Sequence, residues 1–294
     1  MNEQRQWLKR RMADGKTVFF AGAQDALSAL LVEQSAFDGI FTTGFGISAS
    51  LLGRPDMELY TLSENVQVVD HIANVVKKPI FADADTGYGN VLNVARTVRA
   101  FEKAGVAALS LEDQVSPKRC PAAASAPLTL PVAEAVAKIH AAVDARRDPD
   151  LLIVARTDVA DPGEALDRAA RFAEAGADLI QPISRTFSCY ADLVRLRETC
   201  GRPLSLQLME GTWMAALDRQ QIESVAAFAS YPIVTLFSMV HAIQTNLAAL
   251  AQRCGQPMGE LPCPRATMAD FKHLIGWHEL EQQQAHYELG RPAA

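Results

Sequence analysis

Eight times between residues 17 and 253, a short apolar run is followed by a longer stretch with apolar residues at helical spacing. The runs lie at residues 17–21, 39–43, 80–83, 107–111, 151–155, 178–182, 204–208 and 233–237. Helical patterns follow them at 25–33, from Ser63 to before Pro79, and at 91–104, 132–146, 162–175, 190–199, 219–226 and 239–253. Three of these end at a glycine (Gly105, Gly176, Gly201), the residue that best adopts the left-handed conformation closing a helix. Regular β/α alternation demands a parallel sheet, because parallel strands need a crossover between them. Eight such units predict a (β/α)8 barrel of the TIM type. A doubly wound open sheet is the competing arrangement. The sequence has no G-x-G-x-x-G after the first run, which weighs against a dinucleotide-binding version.

Past Gln256 the pattern changes. Pro257, Pro262 and Pro264 mark a linker, and residues 268–287 then read as one helix with Met268, Phe271, Leu274, Ile275, Trp277 and Leu280 apolar. The expected organisation is a catalytic barrel over 1–255 and a C-terminal linker and helix over 256–294. That helix must bury its apolar face on its own barrel or on a neighbouring subunit. A chain of 294 residues, 49% hydrophobic, can fill a core of this size. The net charge of −6 argues against nucleic acid as a partner. The five cysteines are scattered without a C-x-x-C pair, which suits a reducing compartment. The polar first residues carry no signal-peptide core, and no apolar run approaches the about 18 residues of a membrane span. The expectation is a soluble cytoplasmic protein with no membrane partner.

The chemistry concentrates at the ends of the apolar runs, where barrel sites lie. Residues 80–90 read Ile-Phe-Ala-Asp-Ala-Asp-Thr-Gly-Tyr-Gly-Asn. Strand alternation would put Asp83 and Asp85 on one side, and paired carboxylates suit a hard cation such as Mg²⁺. An Asx-rich turn capping the next helix is the other reading. The remaining run ends supply Gln24-Asp25, Thr43-Gly44, Glu112-Asp113-Gln114, Arg156-Thr157-Asp158, Gln207 and Glu210. Acids gathered without a cation would repel one another, so a divalent metal makes sense of them. Arg156 offers a fork for a substrate carboxylate, or a salt bridge to Asp158 or Glu112. Residues 117–127 form a long connection without secondary-structure pattern, a candidate lid. Lys118 and Arg119 would activate Cys120 if close to it. The six histidines fall on helical stretches and read as structural.

In combination, these motifs resemble the isocitrate lyase/phosphoenolpyruvate mutase superfamily. The matching stretches are 25–29, 48–56, 82–90, 111–114, 117–120 and 155–158. The resemblance implies a (β/α)8 barrel and a homodimer or homotetramer with a C-terminal helix swapped between subunits. It also implies Mg²⁺, with Mn²⁺ as a substitute, and α-oxo-carboxylates handled as enolates. By motif, Asp85 is the main metal ligand, and Asp83 and Glu112 act directly or through water. Thr43, Gly44, Asp83 and Arg156 hold the substrate, with Gln207 and Glu210 further out and Asp56 supporting the ligands from behind. Cys120 is the acid that protonates the enolate. Glu112 and Arg156 complete the catalytic set.

Three departures stand out. Pro121-Ala122 replaces the usual Gly-His of the lid, Gln181 stands where many lyases carry Glu, and Gln207 stands where Asn is common. An alanine-rich lid points to a substrate smaller or more apolar at its far end than methylisocitrate. The implied function is a Mg²⁺-dependent carbon–carbon lyase. It would cleave a 2-hydroxy, 2-alkylmalate-like di- or tricarboxylate to an α-oxo acid such as pyruvate plus a second carboxylate. An oxaloacetate decarboxylase, a P–C bond phosphonomutase and a non-catalytic binding protein are the alternatives.

Overall fold

The computed structural model describes residues 2–119 and 127–287. Its eight strands are β1 (Val18–Ala23), β2 (Gly39–Thr42), β3 (Ile80–Asp83), β4 (Ala108–Glu112), β5 (Leu152–Thr157), β6 (Leu179–Pro182), β7 (Leu204–Gln207) and β8 (Ala226–Tyr231). They close into a barrel in sequence order, every neighbour parallel, with β8 paired back to β1. The (β/α)8 expectation therefore holds. Helices α1 (Asn2–Ala13), α2 (Ala26–Glu33), α3 (Gly44–Leu52), α4 (Leu62–Ala73), α5 (Val91–Ala104), α6 (Val132–Ala145), α7 (Pro162–Glu174), α8 (Tyr190–Cys200) and α9 (Arg219–Val225) accompany them. They are followed by α10 (Val234–Ala251), α11 (Met268–Leu274) and α12 (Trp277–Tyr287).

Several boundaries follow from local chemistry. Asn90 caps α5 by accepting from Leu92 N, and Gly105 closes it at φ 96°. Thr61 and Glu64 cap α4 reciprocally, so the helix starts ahead of the expected Ser63. The eighth strand was expected at 233–237 and lies instead at Ala226–Tyr231. Its sequence, Ala-Ala-Phe-Ala-Ser-Tyr, is rich in a helix former. Pairing with both β1 and β7 overrides that preference. The β-branched pair Val234-Thr235 opens α10 instead, directly after Ile233. The 268–287 helix is divided at Gly276, which sits at φ 70°.

Alternation decides what faces the inside. On β3, Ile80 and Ala82 join the core between strands and helices, while Phe81 joins the inner cluster with Phe20, Phe41 and Phe228. Phe81 lies 5.6, 4.9 and 5.2 Å from those rings. Leu8 of α1 is fully buried in the same cluster, with Trp7 and Met12 packed against it. The aromatic rings thus fill the barrel floor and α1 seals it. Two residues further along five of these strands the inward position turns polar: Phe41 gives way to Thr43, Phe81 to Asp83 and Val154 to Arg156. Leu179 likewise gives way to Gln181, and Phe228 to Ser230.

The chain divides into two compact units, one up to Leu236 and one from Phe237 on. In the second, the Asn246 amide donates to Cys263 O at 2.9 Å and accepts from Cys263 N at 3.0 Å. By length and mean hydropathy (18 residues, 1.3), α10 meets the criteria for a membrane span that no stretch was expected to meet. Ser238, His241, Gln244 and Asn246 interrupt its apolar character.

Phe81→Ala removes the ring shared by three aromatic contacts in a closed space. It is expected to lower the unfolding free energy by about 3–5 kcal/mol, measured by denaturant titration of the wild type and the variant.

Candidate active site

The polar inward positions open onto a cavity of about 530 Å³ at the C-terminal ends of the strands. Thr43, Asp83, Arg156, Gln181 and Gln207 form its polar floor, and Asp56 and Glu210 also line it. Phe45, Ile183, Met209, Trp213 and Ile233 add apolar surface above it, interleaved with Ser184, Arg185 and Thr212. The Trp213 indole N–H donates to Ser184 O and Phe187 O, so its polar atom is satisfied and the ring serves as surface.

Asp83 and Asp85 converge, though not by simple alternation. The strand ends at Asp83, and Asp85 adopts φ 51° in a turn with Gly87, Tyr88 and Gly89 also at positive φ. A tyrosine at φ 60° is strained, as is common where a turn serves a site. The Asp85 N–H donates to Asp83 Oδ1 at 3.2 Å. Glu112 N in turn donates to Asp85 O at 2.9 Å, extending the β3–β4 pairing through the turn. Gly44 opens α3 beside this pair, and its N–H lies 3.4 Å from Asp83 Oδ2. A Cβ there would come within 2.7 Å of the Tyr60 hydroxyl and 2.9 Å of Asp85 Oδ1, which explains the glycine. Thr43 precedes it with no side-chain capping bond.

The two oxygens of Asp85 have different duties. Oδ2 accepts from Tyr60 OH and Tyr88 OH, each at 2.7 Å. Burial first, and Asp85 second, raise both phenols well above their ordinary range, so both stay donors. Oδ1 lies 2.7 Å from Lys118 Nζ, which is also 2.9 Å from Asp56 Oδ2. Burial alone would lower the lysine's pKa. Asp85, Glu112, Asp56 and Asp83 outweigh it and hold the ammonium well above the usual lysine range. Burial lifts Asp56 to about 6 against the pull of Lys118. It also raises Asp83 and Glu112, opposed by Lys118 and Arg156 respectively.

Arg156 forms salt bridges to both Asp158 and Glu112. Its Nε and Nη2 donate to Asp158 at 2.9 and 3.0 Å, and Nη1 lies 3.0 Å from Glu112 Oε2. It also lines the cavity. Behind it, Asp158 also accepts from Gln114 Nε2 at 2.6 Å, and Gln114 Oε1 accepts from Arg119 N at 2.9 Å. Asp113 accepts from Thr157, Asp158 N and Arg168 at 2.7, 2.8 and 3.1 Å.

Of the expected residues, Thr43, Asp83, Arg156, Gln207 and Glu210 line one cavity. Gly44 and Asp85 pack against Asp83, and Glu112 pairs with Arg156. Asp25 caps α2 through Ser28 N and is not part of the carboxylate group. Cys120 lies outside the described residues. Three participants carried no sequence signal for their roles: Tyr60, Tyr88 and the inward-turned Lys118.

Whether Mg²⁺ suits this set depends on its donors. They are all oxygens, and Asp56 Oδ1 and Glu112 Oε1 are buried without a hydrogen-bond partner. Among the described residues, no three acid, His or Cys side chains form a ready coordination sphere. Mg²⁺ keeps several waters and takes one or two carboxylates, so the oxygens present fit it.

A closed (β/α)8 barrel with acids and an arginine at its C-terminal mouth defines a class of barrel proteins with a site for anions. Comparison narrows the class. The sequence matches the phosphoenolpyruvate phosphomutase family over residues 8–251, and the chain belongs to that family. It is 34% identical to 2,3-dimethylmalate lyase of Eubacterium barkeri, covering 97% of this chain and 98% of that one. It is 37% identical to 2-methylisocitrate lyase of Aeropyrum pernix, covering 92% and 86%. The fold superposes on phosphonopyruvate hydrolase in complex with oxalate and Mg²⁺ with a TM-score of 0.85. That pair is 27% identical over 97% of this chain and 99% of the other.

Arg168→Met leaves the buried Asp113 carboxylate without its cation. At pH 8 the variant is expected to lose about 3 kcal/mol of stability or more. Burial, then Asp158, raises the Asp113 pKa to about 6. Below that pH a proton takes the place of the guanidinium, so the deficit should shrink at pH 5. Urea unfolding of both proteins at the two pH values measures it.

Proposed function

We propose that this protein is a Mg²⁺-dependent carbon–carbon lyase acting on a 2-hydroxy, 2-alkylmalate-like di- or tricarboxylate. The observation that carries the reading is one cavity in which the polar strand ends of Thr43, Asp83, Arg156, Gln181 and Gln207 meet the apolar surface of Ile183, Met209, Trp213 and Ile233. Arg156, Thr43 and Gly44 bind the carboxylate and oxygen of the 2-hydroxy-acid half. Trp213, Met209, Ile183 and Ile233 offer apolar surface to the far part of the substrate, beside Arg185. The full or near-full coverage of the dimethylmalate and methylisocitrate lyases supports the same class.

In this reading a base removes the hydroxyl proton and the adjacent C–C bond breaks. The hydroxyl carbon becomes the carbonyl of an α-oxo acid such as pyruvate. The electron pair passes to the α-carbon of the second fragment, whose carboxylate spreads it as an enolate. The Cys120 thiol, in the role the family resemblance assigns it, then delivers a proton there. Bound Mg²⁺, held at Asp85 with Asp83 and Glu112 near it, would supply positive charge at the oxyanion. Arg156 contributes the same sign of charge from β5. Exclusion of water by the apolar surface strengthens both effects.

Residues 256–294 complete a homo-oligomer, dimer or tetramer. Phe237, Val240, Ile243 and Leu247, exposed at three- and four-residue spacing, support a subunit contact. Light scattering of the purified protein decides it.

A panel of 2-hydroxy and 2-oxo diacids, scored for released pyruvate with and without Mg²⁺, tests the activity. Alkylmalates are expected to turn over and to require the metal. Turnover of oxaloacetate alone would instead favour the decarboxylase reading, and a dead panel the binding-protein reading. Cys120→Ser is expected to lose turnover while retaining oxalate and Mg²⁺ binding by calorimetry. Near-normal turnover by that variant would remove the proton-donor role.

A further inference from the structure

The cation position of the carboxylate cluster is already taken by part of the chain. Lys118 Nζ lies 2.7 Å from Asp85 Oδ1 and 2.9 Å from Asp56 Oδ2, and its side chain is 1% exposed. The other oxygen of Asp85 is held by two phenol donors. Oδ1 is therefore the only oxygen of that side chain open to a cation, and the ammonium is on it. We propose that Lys118 is the resident counter-ion of this cluster and that a divalent cation binds at Asp85 by displacing it. The proposal rests on the reading that Asp85 holds the metal.

Two constraints force an exchange rather than a shared site. A metal on Oδ1 would stand about 2.1 Å from that oxygen. An ammonium left in place would face it across a few ångströms of buried, weakly screened space. The acids cannot stand unpaired either, since Asp56, Asp83, Asp85 and Glu112 all act on the same lysine. One cation must replace the other.

The structure offers a simple path. Backbone anchors hold the ends of the segment: Lys118 N donates to Glu58 Oε2 and Arg119 N to Gln114 Oε1, both at 2.9 Å. The ammonium can swing on its flexible stem while these remain. Asp56, its second partner, lines the cavity and keeps one oxygen without a partner. The displaced ammonium thus arrives at the cavity edge, where it adds a positive charge for an anionic substrate. Loading with metal then prepares the cavity for that substrate.

Amine labelling of the intact protein, read by mass spectrometry at Lys118, tests the exchange. Calorimetric titration with MgCl2 and MnCl2 runs alongside. Labelling is expected to rise about tenfold or more with saturating metal, while exposed Lys103 stays unchanged. Lys118→Met is expected to bind the metal about tenfold more tightly, because no internal cation competes. If the wild type binds no divalent cation, the reading of Asp85 fails and the proposal with it. If metal binds and Lys118 labelling does not change, the exchange alone is overturned. Weaker metal binding by Lys118→Met would also overturn it.

Discussion

Closure of the barrel leaves each strand with a single line of inward side chains, and everything at the site depends on that restriction. The lower part of the line is filled by Phe20, Phe41, Phe81 and Phe228, with Leu8 of α1 below them. Packed rings leave no room for a pore, so polar groups gather toward the C-terminal inward positions of the strands. Asp83 lies two residues beyond Phe81, and Arg156 two beyond Val154. A shift of one residue in the register of β3 would send Asp83 outward into the apolar layer occupied by Ile80 and Ala82. The aromatic floor therefore fixes which strand residues can meet at the mouth.

That meeting brings four carboxylates, Asp56, Asp83, Asp85 and Glu112, into a buried space. Desolvation raises Asp56, Asp83 and Glu112, and the cluster holds together because Lys118 and Arg156 stand within 3.0 Å of its oxygens. Such buried ion pairs are a poor source of net stability, since desolvation offsets much of their attraction. A hydrophobic plug would stabilise the fold at least as well. The arrangement makes sense as a preorganised charge pattern awaiting an anion and a cation.

The frame was legible in the sequence because local and global preferences agree there. The β3 bounds, the α5 bounds and the glycine closures follow from period, cap and left-handed turn. β8 was not legible because alanine favours a helix and only its neighbours on both sides make it a strand. The nearness of Asp83 and Asp85 was readable, yet its cause was not. The turn supplies it through a residue at positive φ, which no alternation rule describes. Tyr60 and Lys118 reach the cluster from loops, and loops carry no periodicity from which direction could be read. Their partners are 25 and 33 positions away along the chain.

The two sides of the cavity place unequal demands on a ligand. At the floor, Arg156 is already oriented by Asp158 and Glu112, and Gln181 by Ser205 and Gln207. A carboxylate bound there meets donors that need no reorganisation. The wall of Trp213, Met209 and Ile183 offers area without direction, and one methylene more or less changes affinity only modestly in such a pocket. Recognition of the acid half is therefore strict and recognition of the far half permissive.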